Sequence, residues 1–295
     1  MKEILSKIPY LRYAYWYRKN AAQRPGHYYS PVIDIDDLER REEQVWKKPR
    51  RLEGIVWNDE EQESFLSALI ESNEVIPFTD NPSPGFRYYF DNKTYPHSDG
   101  LVLFSMLRAF KPKRIIEVGS GFSSALILDT RDHFLKDSPT LTFIEPNPDD
   151  RLTNLLKRED YETVSVVKDI VQNTPVDTFR QLRENDILLI DNSHVSKVGS
   201  DVNYLMTEIL PCLNKGVIVH IHDIFYPFEY PKDWIFEHKL NWNEIYMVHN
   251  FLLFNSQFKI IFFSDYVHQK YKQRIENKVP LFYKGRPGSL WLQRV

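Results

Sequence analysis

A chain with a single cysteine, Cys212 beside Pro211, can form no intramolecular disulfide, and a reducing compartment such as the cytoplasm is where it is expected. No apolar run approaches the ~20 residues that span a bilayer, so no transmembrane segment is expected, and Lys2, Lys7 and Arg12 interrupt any signal-peptide core. Internal repeats and low-complexity tracts are missing as well. So is an excess of one charge: 38 Lys and Arg against 41 Asp and Glu leave a net charge of -3, which supplies no basic patch for a nucleic acid. What remains is an ordinary globular composition, 42% hydrophobic and 27% charged over 295 residues, enough for one large core with an added segment.

The most informative stretch is Arg114-Ile-Ile-Glu117-Val-Gly119-Ser-Gly121-Phe-Ser123-Ser124. Ile115, Ile116 and Val118 are apolar and β-branched, as in a strand covered on both faces. Gly119 and Gly121 let the backbone turn sharply and approach a ligand, and Phe122 to Arg131 read as the helix that follows. Two features depart from a dinucleotide fingerprint. Ser124 replaces the third glycine, and Glu117 stands two residues before the first, where a carboxylate repels a pyrophosphate and holds an ammonium group.

Further strands are expected at Leu141–Glu145, Val164–Asp169, Asp186–Asp191 and Gly216–Asp223, with helices around 149–157, 176–184 and 199–212. That alternation predicts an α/β fold with a parallel sheet and right-handed crossovers, whose ligands sit outside the carboxyl ends of the strands. Glu145, Asp169, Asp191 and Asp223 all fall on that rim, Glu145 where ribose hydroxyls are bound in Rossmann-like folds. Phe258–Phe263 and Ser289–Arg294 supply two late strands. After the fourth strand, Ile190-Asp191-Asn-Ser-His194 sets an imidazole three residues beyond a carboxylate; on the fifth, His220 and His222 share a face, followed by Asp223. Adjacent strands lie about 4.8 Å apart, so Asp191, His194, His222 and Asp223 can converge. His220 is expected to be a core histidine donating to a neighbouring carbonyl.

This order of segments resembles the class I S-adenosylmethionine-dependent methyltransferases. It is most similar to a bacterial family described as methyltransferase domain 24, with I-D-x-x-H after the fourth strand and H-D after the fifth. The resemblance covers residues 86–295 and is tightest from Lys113 to Trp234. It implies a Rossmann-like sheet of seven mostly parallel strands with the last antiparallel. S-adenosylmethionine would be held by Glu117, Gly119, Ser120, Gly121, Ser123, Glu145, Asp169 and Asp191, with Asp169 the candidate for the adenine amino group. The implied reaction is methylation of a small-molecule acceptor, a sugar or another hydroxylated metabolite, with His194 as general base beside Asp191 and Asp223. Catechol-type relatives bind a divalent metal through an Asp after the fourth strand and an Asp-Asn pair after the fifth. Here Ile224 stands in place of that Asn, so the metal set read from the motif is Asp191, His222 and Asp223, suited to zinc, manganese or iron rather than magnesium. Two alternatives stay open: a nicotinamide-dependent Rossmann oxidoreductase, disfavoured by Glu117 and Ser124, and a non-catalytic binding module of the same fold.

Residues 1–85 differ in character and read as a mainly helical, aromatic extension, divided from a catalytic domain over 86–295 at Asn81-Pro-Ser-Pro-Gly85. Ile8 to Lys19 mixes aromatic and basic residues without a clean helical stripe. Its rings are expected to pack on the catalytic domain or on another copy of the chain, making a homo-oligomer through this extension an expectation, with a membrane surface as the alternative. Ile33 to Lys48, opening on Asp34, Asp36 and Asp37, reads as a capped helix. The aromatic segments His27–Pro31 and Phe86–Asp99 are candidates for the acceptor pocket.

Overall fold

The computed structural model describes residues 9–47, 52–72, 76–135 and 139–295; Met1 to Ile8, where the basic aromatic segment begins, lie outside the described residues. The chain divides into two compact units. One comprises the described residues of 1–50 with Pro231–Asn241, the other those of 51–230 with Trp242–Val295. The contacts thus part the chain earlier than Asn81–Gly85. Helix Asp59–Ser72 belongs to the larger unit because Leu66 and Leu69 are buried in its core and Gln62 Oε1 accepts from the Phe263 N–H at 2.9 Å.

In the smaller unit, helix Pro9–Asn20 leaves Tyr13 70% and Trp16 52% exposed, so these rings are not packed within the chain as expected; Arg12 and Lys19 lie over them. Asp34 caps helix Ile35–Arg40 by accepting from the Asp37 N–H, and a second short helix, Glu42–Val45, follows. The single helix expected over Ile33 to Lys48 is therefore broken at Arg41, and Lys48 lies outside the described residues.

The larger unit is built on a seven-stranded sheet: β1 (Arg114–Val118), β2 (Thr140–Ile144), β3 (Val164–Val167), β4 (Ile187–Ile190), β5 (Ile218–Ile221), β6 (Phe258–Phe263) and β7 (Leu290–Arg294), in the spatial order β3-β2-β1-β4-β5-β7-β6. β7 is antiparallel to both neighbours, β5 and β6, and the other pairings are parallel. The chain runs outward from β1 to β3, then returns to lay β4 on the other side of β1. This reversal opens a crevice at the carboxyl ends of β1 and β4. The strands β1, β4, β5 and β7 are almost wholly buried, in keeping with their largely apolar sequences, which Glu117 interrupts in β1 and His220 in β5.

Helix His97–Phe110 is buried over Ser98–Leu107 and stops at Lys111, which takes a left-handed conformation (φ 47°) just before Pro112. Helix Phe122–Phe134 follows the glycine turn as expected. The helices expected around 149–157 and 176–184 shrink to single turns, Leu152–Leu155 and Val176–Phe179. Pro146, Pro148 and Pro175 restrict the backbone before each of them, and 3-10 turns fill the connections. The expected helix near 199–212 is present, as Asp201–Tyr204, a π-helical stretch Leu205–Ile209 and Leu210–Cys212 in succession. No described helix is long and apolar enough to cross a membrane.

An ion network ties the approach to the sheet onto this framework. Arg87 reaches Asp129, Asp132 and Asp160 at 2.7, 2.9 and 2.8 Å, while Arg131 meets Asp160 at 2.8 Å. Asp129 and Asp160 are fully buried. Burial would raise the Asp160 carboxyl, but the Lys157 N–H and Arg87 hold it below its usual range. Arg87→Met strands these buried carboxylates and is expected to lower stability by about 3–5 kcal/mol. A urea midpoint equal to that of the parent would show that the pairs contribute nothing.

Candidate active site

The glycine turn and the end of β4 are joined at atomic range. The Asp191 N–H donates to the Val118 carbonyl at 2.8 Å, and the Gly119 N–H donates to the Ile144 carbonyl at 3.0 Å. Gly119 has φ 80°, and a Cβ there would lie 1.7 Å from the Asp191 carbonyl oxygen. Only glycine satisfies both the backbone angle and the contact. Glu117, two residues earlier, is fully buried on the face between the sheet and the turn. Burial pushes its pKa up to about 8. Ser124 donates to Oε2, while Oε1 and the Ser120 hydroxyl have no hydrogen-bond partner.

Glu145 follows β2 and accepts from the Ser120 N–H at 3.2 Å and the Asn147 N–H at 2.8 Å. It lines two cavities together with Gly119, Asp191 and Asn192. One, of about 380 Å³, has an apolar wall of Ile144, Ile170 and Val171; the other, of about 350 Å³, is walled by Ser120, Asn147 and Arg151. Gly121 is overlain by Arg151, whose Cδ and Nη1 would sit 2.9 Å from a Cβ placed there. Asp169 behaves differently from the expectation: its carboxylate turns back to accept from the Ile170 N–H at 2.7 Å and from Asn173 Nδ2 at 2.9 Å, and Ile170 takes the cavity wall.

Past β4 and β5 the structure gathers Asp191, His194 and Asp223. One ligand atom from each lies within 4.8 Å of the other two. His194 Nε2 is 3.4 Å from Asp191 Oδ1 and 3.5 Å from Asp223 Oδ2. Both His194 (φ 57°) and Asp223 (φ 59°) sit in the left-handed region, where non-glycine residues are strained and which functional loops often use. His222 is not part of this tight group. It continues the inward face of His220, beneath the Tyr95 ring 4.9 Å away, and touches the centre only through Asp223 Oδ1 at 3.5 Å. In the metal set read from the motif, His194 therefore stands where His222 was expected. His220 is fully buried, the core histidine expected, but neither ring nitrogen has a hydrogen-bond partner, so the expected donation to a carbonyl is not made.

Electrostatics follow from this crowding. Burial would raise Asp191, but His222 and His194 beside it hold it at about 2. For His194, burial opposes the charge and is overridden by Asp191 and Glu244, so its pKa rises well above the ordinary histidine value. Burial pushes Asp223 up, partly offset by His222 and His194, whereas burial lowers His222 and Asp223 more than restores it. Asp99, in helix His97–Phe110, is raised by burial to about 6 and accepts from the Gly288 N–H at 3.1 Å.

Glu244 is the residue that the sequence reading missed. It opens helix Glu244–Leu252, is buried, and places Oε2 2.9 Å from His194 Nδ1. Nothing local in the sequence marks it, since it lies 50 positions from its partner. His27, Tyr28 and Ser30 line a cavity of about 550 Å³ with Arg24 and Asp34, all within the smaller unit.

Comparison with known proteins bears on the chemistry. Residues 116–224 match the model of a family described as a methyltransferase domain. An uncharacterized protein of Archaeoglobus fulgidus is 31% identical over 167 residues, 55% of this chain and 75% of that relative. Among solved structures, an SAH-bound methyltransferase of Podospora anserina is similar at 14% identity and a TM-score of 0.42, over 89% of this chain and 97% of that one. A SAH complex of a Bacillus cereus O-methyltransferase is similar at 12% identity and a TM-score of 0.42, over 88% and 97%. The matched segment spans the glycine turn, Glu145, Asp191, His194 and Asp223, and the sheet carries the β1–β4 reversal with an antiparallel β7. The chain belongs to the class I S-adenosylmethionine-dependent methyltransferases, in the methyltransferase-domain family.

Proposed function

We propose that the protein methylates a hydroxyl group of a small molecule, with His194 facing the acceptor and the Glu117–Gly121 turn holding the amino-acid end of S-adenosylmethionine. The observation that carries the cofactor half is the pair of buried, unpartnered oxygens at the turn, Glu117 Oε1 and the Ser120 hydroxyl. An ammonium group satisfies both, and Glu145 and the Ile144, Ile170 and Val171 wall suit a ribose and an adenine. S-adenosylmethionine supplies the sulfonium methyl. The acceptor oxygen forms the new C–O bond in line as the S–C bond breaks, sulfur keeps the electron pair, and the O–H proton passes to His194 Nε2.

Nε2 can take that proton only when it does not already carry one. Asp191 and Glu244 raise the His194 pKa, so turnover is expected to climb with pH above the ordinary histidine range as the free base appears. The same feature favours a second reading, in which a divalent cation takes the place of the Nε2 proton. Two carboxylates and an imidazole within 4.8 Å of one another fit zinc, manganese or iron, with Asp191, His194 and Asp223 as the holders. Such a cation would lower the pKa of the acceptor hydroxyl. His194→Ala is expected to cut methyl transfer, assayed with labelled S-adenosylmethionine over a panel of hydroxylated acceptors, by about 10²–10⁴-fold with cofactor affinity retained. If base catalysis operates alone, chelator leaves wild-type turnover intact; if the cation is needed, chelator abolishes it and Asp223→Asn loses as much as His194→Ala. Turnover that survives both chelation and His194→Ala would leave neither mechanism standing.

Glu145→Ala should weaken S-adenosylhomocysteine binding by about 1.5–3 kcal/mol, the loss of a hydrogen-bonding charged group. Unchanged calorimetric affinity in the folded variant would remove the ribose role.

Glu117 gives a pH test with a definite sign. With its pKa at about 8 it is neutral at pH 7, and an ammonium beside it favours the carboxylate. Binding of S-adenosylhomocysteine at pH 7 should therefore release a proton, and affinity should rise between about pH 6 and pH 8. Methylthioadenosine, which lacks the amino-acid end, should show neither effect. Calorimetry in buffers of different ionisation heat reads the proton directly, and its absence would dissociate Glu117 from the ammonium.

A further inference from the structure

The loop that carries His194 is gripped by three consecutive residues from a distant part of the chain. The Trp242 ring lies 4.4 Å from the His194 ring, tilted by 35°. Asn243 clasps Ser196 twice, its Oδ1 accepting from the Ser196 N–H at 2.6 Å and its Nδ2 donating to the Ser196 carbonyl at 3.2 Å. The backbone N–H groups of Asn243 and Glu244 both donate to the His194 carbonyl at 3.1 Å. The Glu244 carboxylate completes the grip, with Oε2 lying 2.9 Å from His194 Nδ1 and Oε1 accepting from Asn192 Nδ2 at 2.6 Å. Asn192 closes the circuit, since its Oδ1 accepts from the His194 N–H at 2.7 Å.

We infer that Glu244 is a positioning residue that fixes the proton of His194 on Nδ1 and thereby hands Nε2, and no other ring atom, to the space between Asp191 and Asp223. Among the described residues, the carboxylate meets His194 Nδ1 and the Asn192 amide, and no Lys or Arg forms an ion pair with it, so its contact with the ring calls for a proton on Nδ1. A histidine ring free to flip would offer Nδ1 and Nε2 alternately. With Nδ1 committed, the ring can serve either as a base at Nε2 or as a ligand at Nε2, and both uses need the same tautomer. The role rests on the reading of His194 given above, and its test separates the two.

The measurement is nitrogen-15 NMR on the full chain labelled at histidine, with the His194 signals assigned by their loss in His194→Gln. Wild-type protein is expected to show a low-field Nδ1–H proton protected from exchange with water. In Glu244→Gln the amide cannot accept from both donors, because its –NH₂ must face either Asn192 or His194. Exchange of that proton is then expected to quicken at least about tenfold, the factor equivalent to one ordinary hydrogen bond. Glu244→Asp should restore part of the protection. A protected Nδ1–H that survives in folded Glu244→Gln overturns the assignment. So does wild-type protein whose His194 carries its proton on Nε2 alone, and that spectrum decides the matter should Glu244→Gln fail to fold. S-adenosylhomocysteine affinity is expected to be equal in wild type and Glu244→Gln, since Glu244 holds the imidazole and not the cofactor. Wild-type protein that fails to bind S-adenosylhomocysteine overturns the methyl-transfer reading and leaves the tautomer result to stand or fall by its own spectrum.

Discussion

Everything at the carboxyl rim of the sheet depends on one close approach, between the α-carbon of Gly119 and the carbonyl of Asp191. The space there admits a hydrogen atom and no methyl group, since a Cβ would lie 1.7 Å from the oxygen. Because the approach is so tight, the hydrogen bonding of β1 to β4 continues one residue beyond the strands, through the Asp191 N–H and the Val118 carbonyl. That extra rung locks the first residue of the His194 loop to the last residue of β1, just before Gly119. A cavity wall and the loop bearing His194, far apart in sequence, thus share one rigid joint.

A row of polar groups lies behind that joint. Register places Glu117, Leu189, His220 and Trp291 side by side across β1, β4, β5 and β7. Three of the four carry polar atoms without a hydrogen-bond partner, and all four are fully buried. A sheet selected for stability alone would place aliphatic side chains there, so the row marks the direction in which function has overruled packing.

Much of this was legible in the sequence. The strands were plain because buried parallel strands are short apolar β-branched runs, as in Ile115 to Val118 and Ile187 to Ile190. The rim residues were plain because a strand's end fixes where the next side chain goes. Boundaries of the short helices were hidden, since proline before Leu152 and Val176 cuts segments whose periodicity alone suggests longer ones. The partition of His194 and His222 was hidden for another reason: the period of two that sets His222 inside the sheet ends at Asp223, whose left-handed backbone swings its carboxylate across to His194. Glu244 had no local signal, because a carboxylate that completes a histidine's hydrogen bonding is specified by tertiary contact alone.

The buried histidine within β5 also sets how the molecule tolerates acid. Burial and the neighbouring His222 hold the His220 pKa well below its free value, and burial lowers His268 to about 4 and His249 as well. An unfolded chain protonates all three near pH 6.5, so below that point each one favours the unfolded state, most of all the fully buried His220, by up to about 1.4 kcal/mol per pH unit until its folded pKa is reached. His194 and His222, raised by their carboxylates, contribute in the opposite sense, but that contribution is already complete below the unfolded pKa and does not grow further. Acid lability therefore begins inside the central sheet, at mildly acidic pH, before the surface carboxylates titrate.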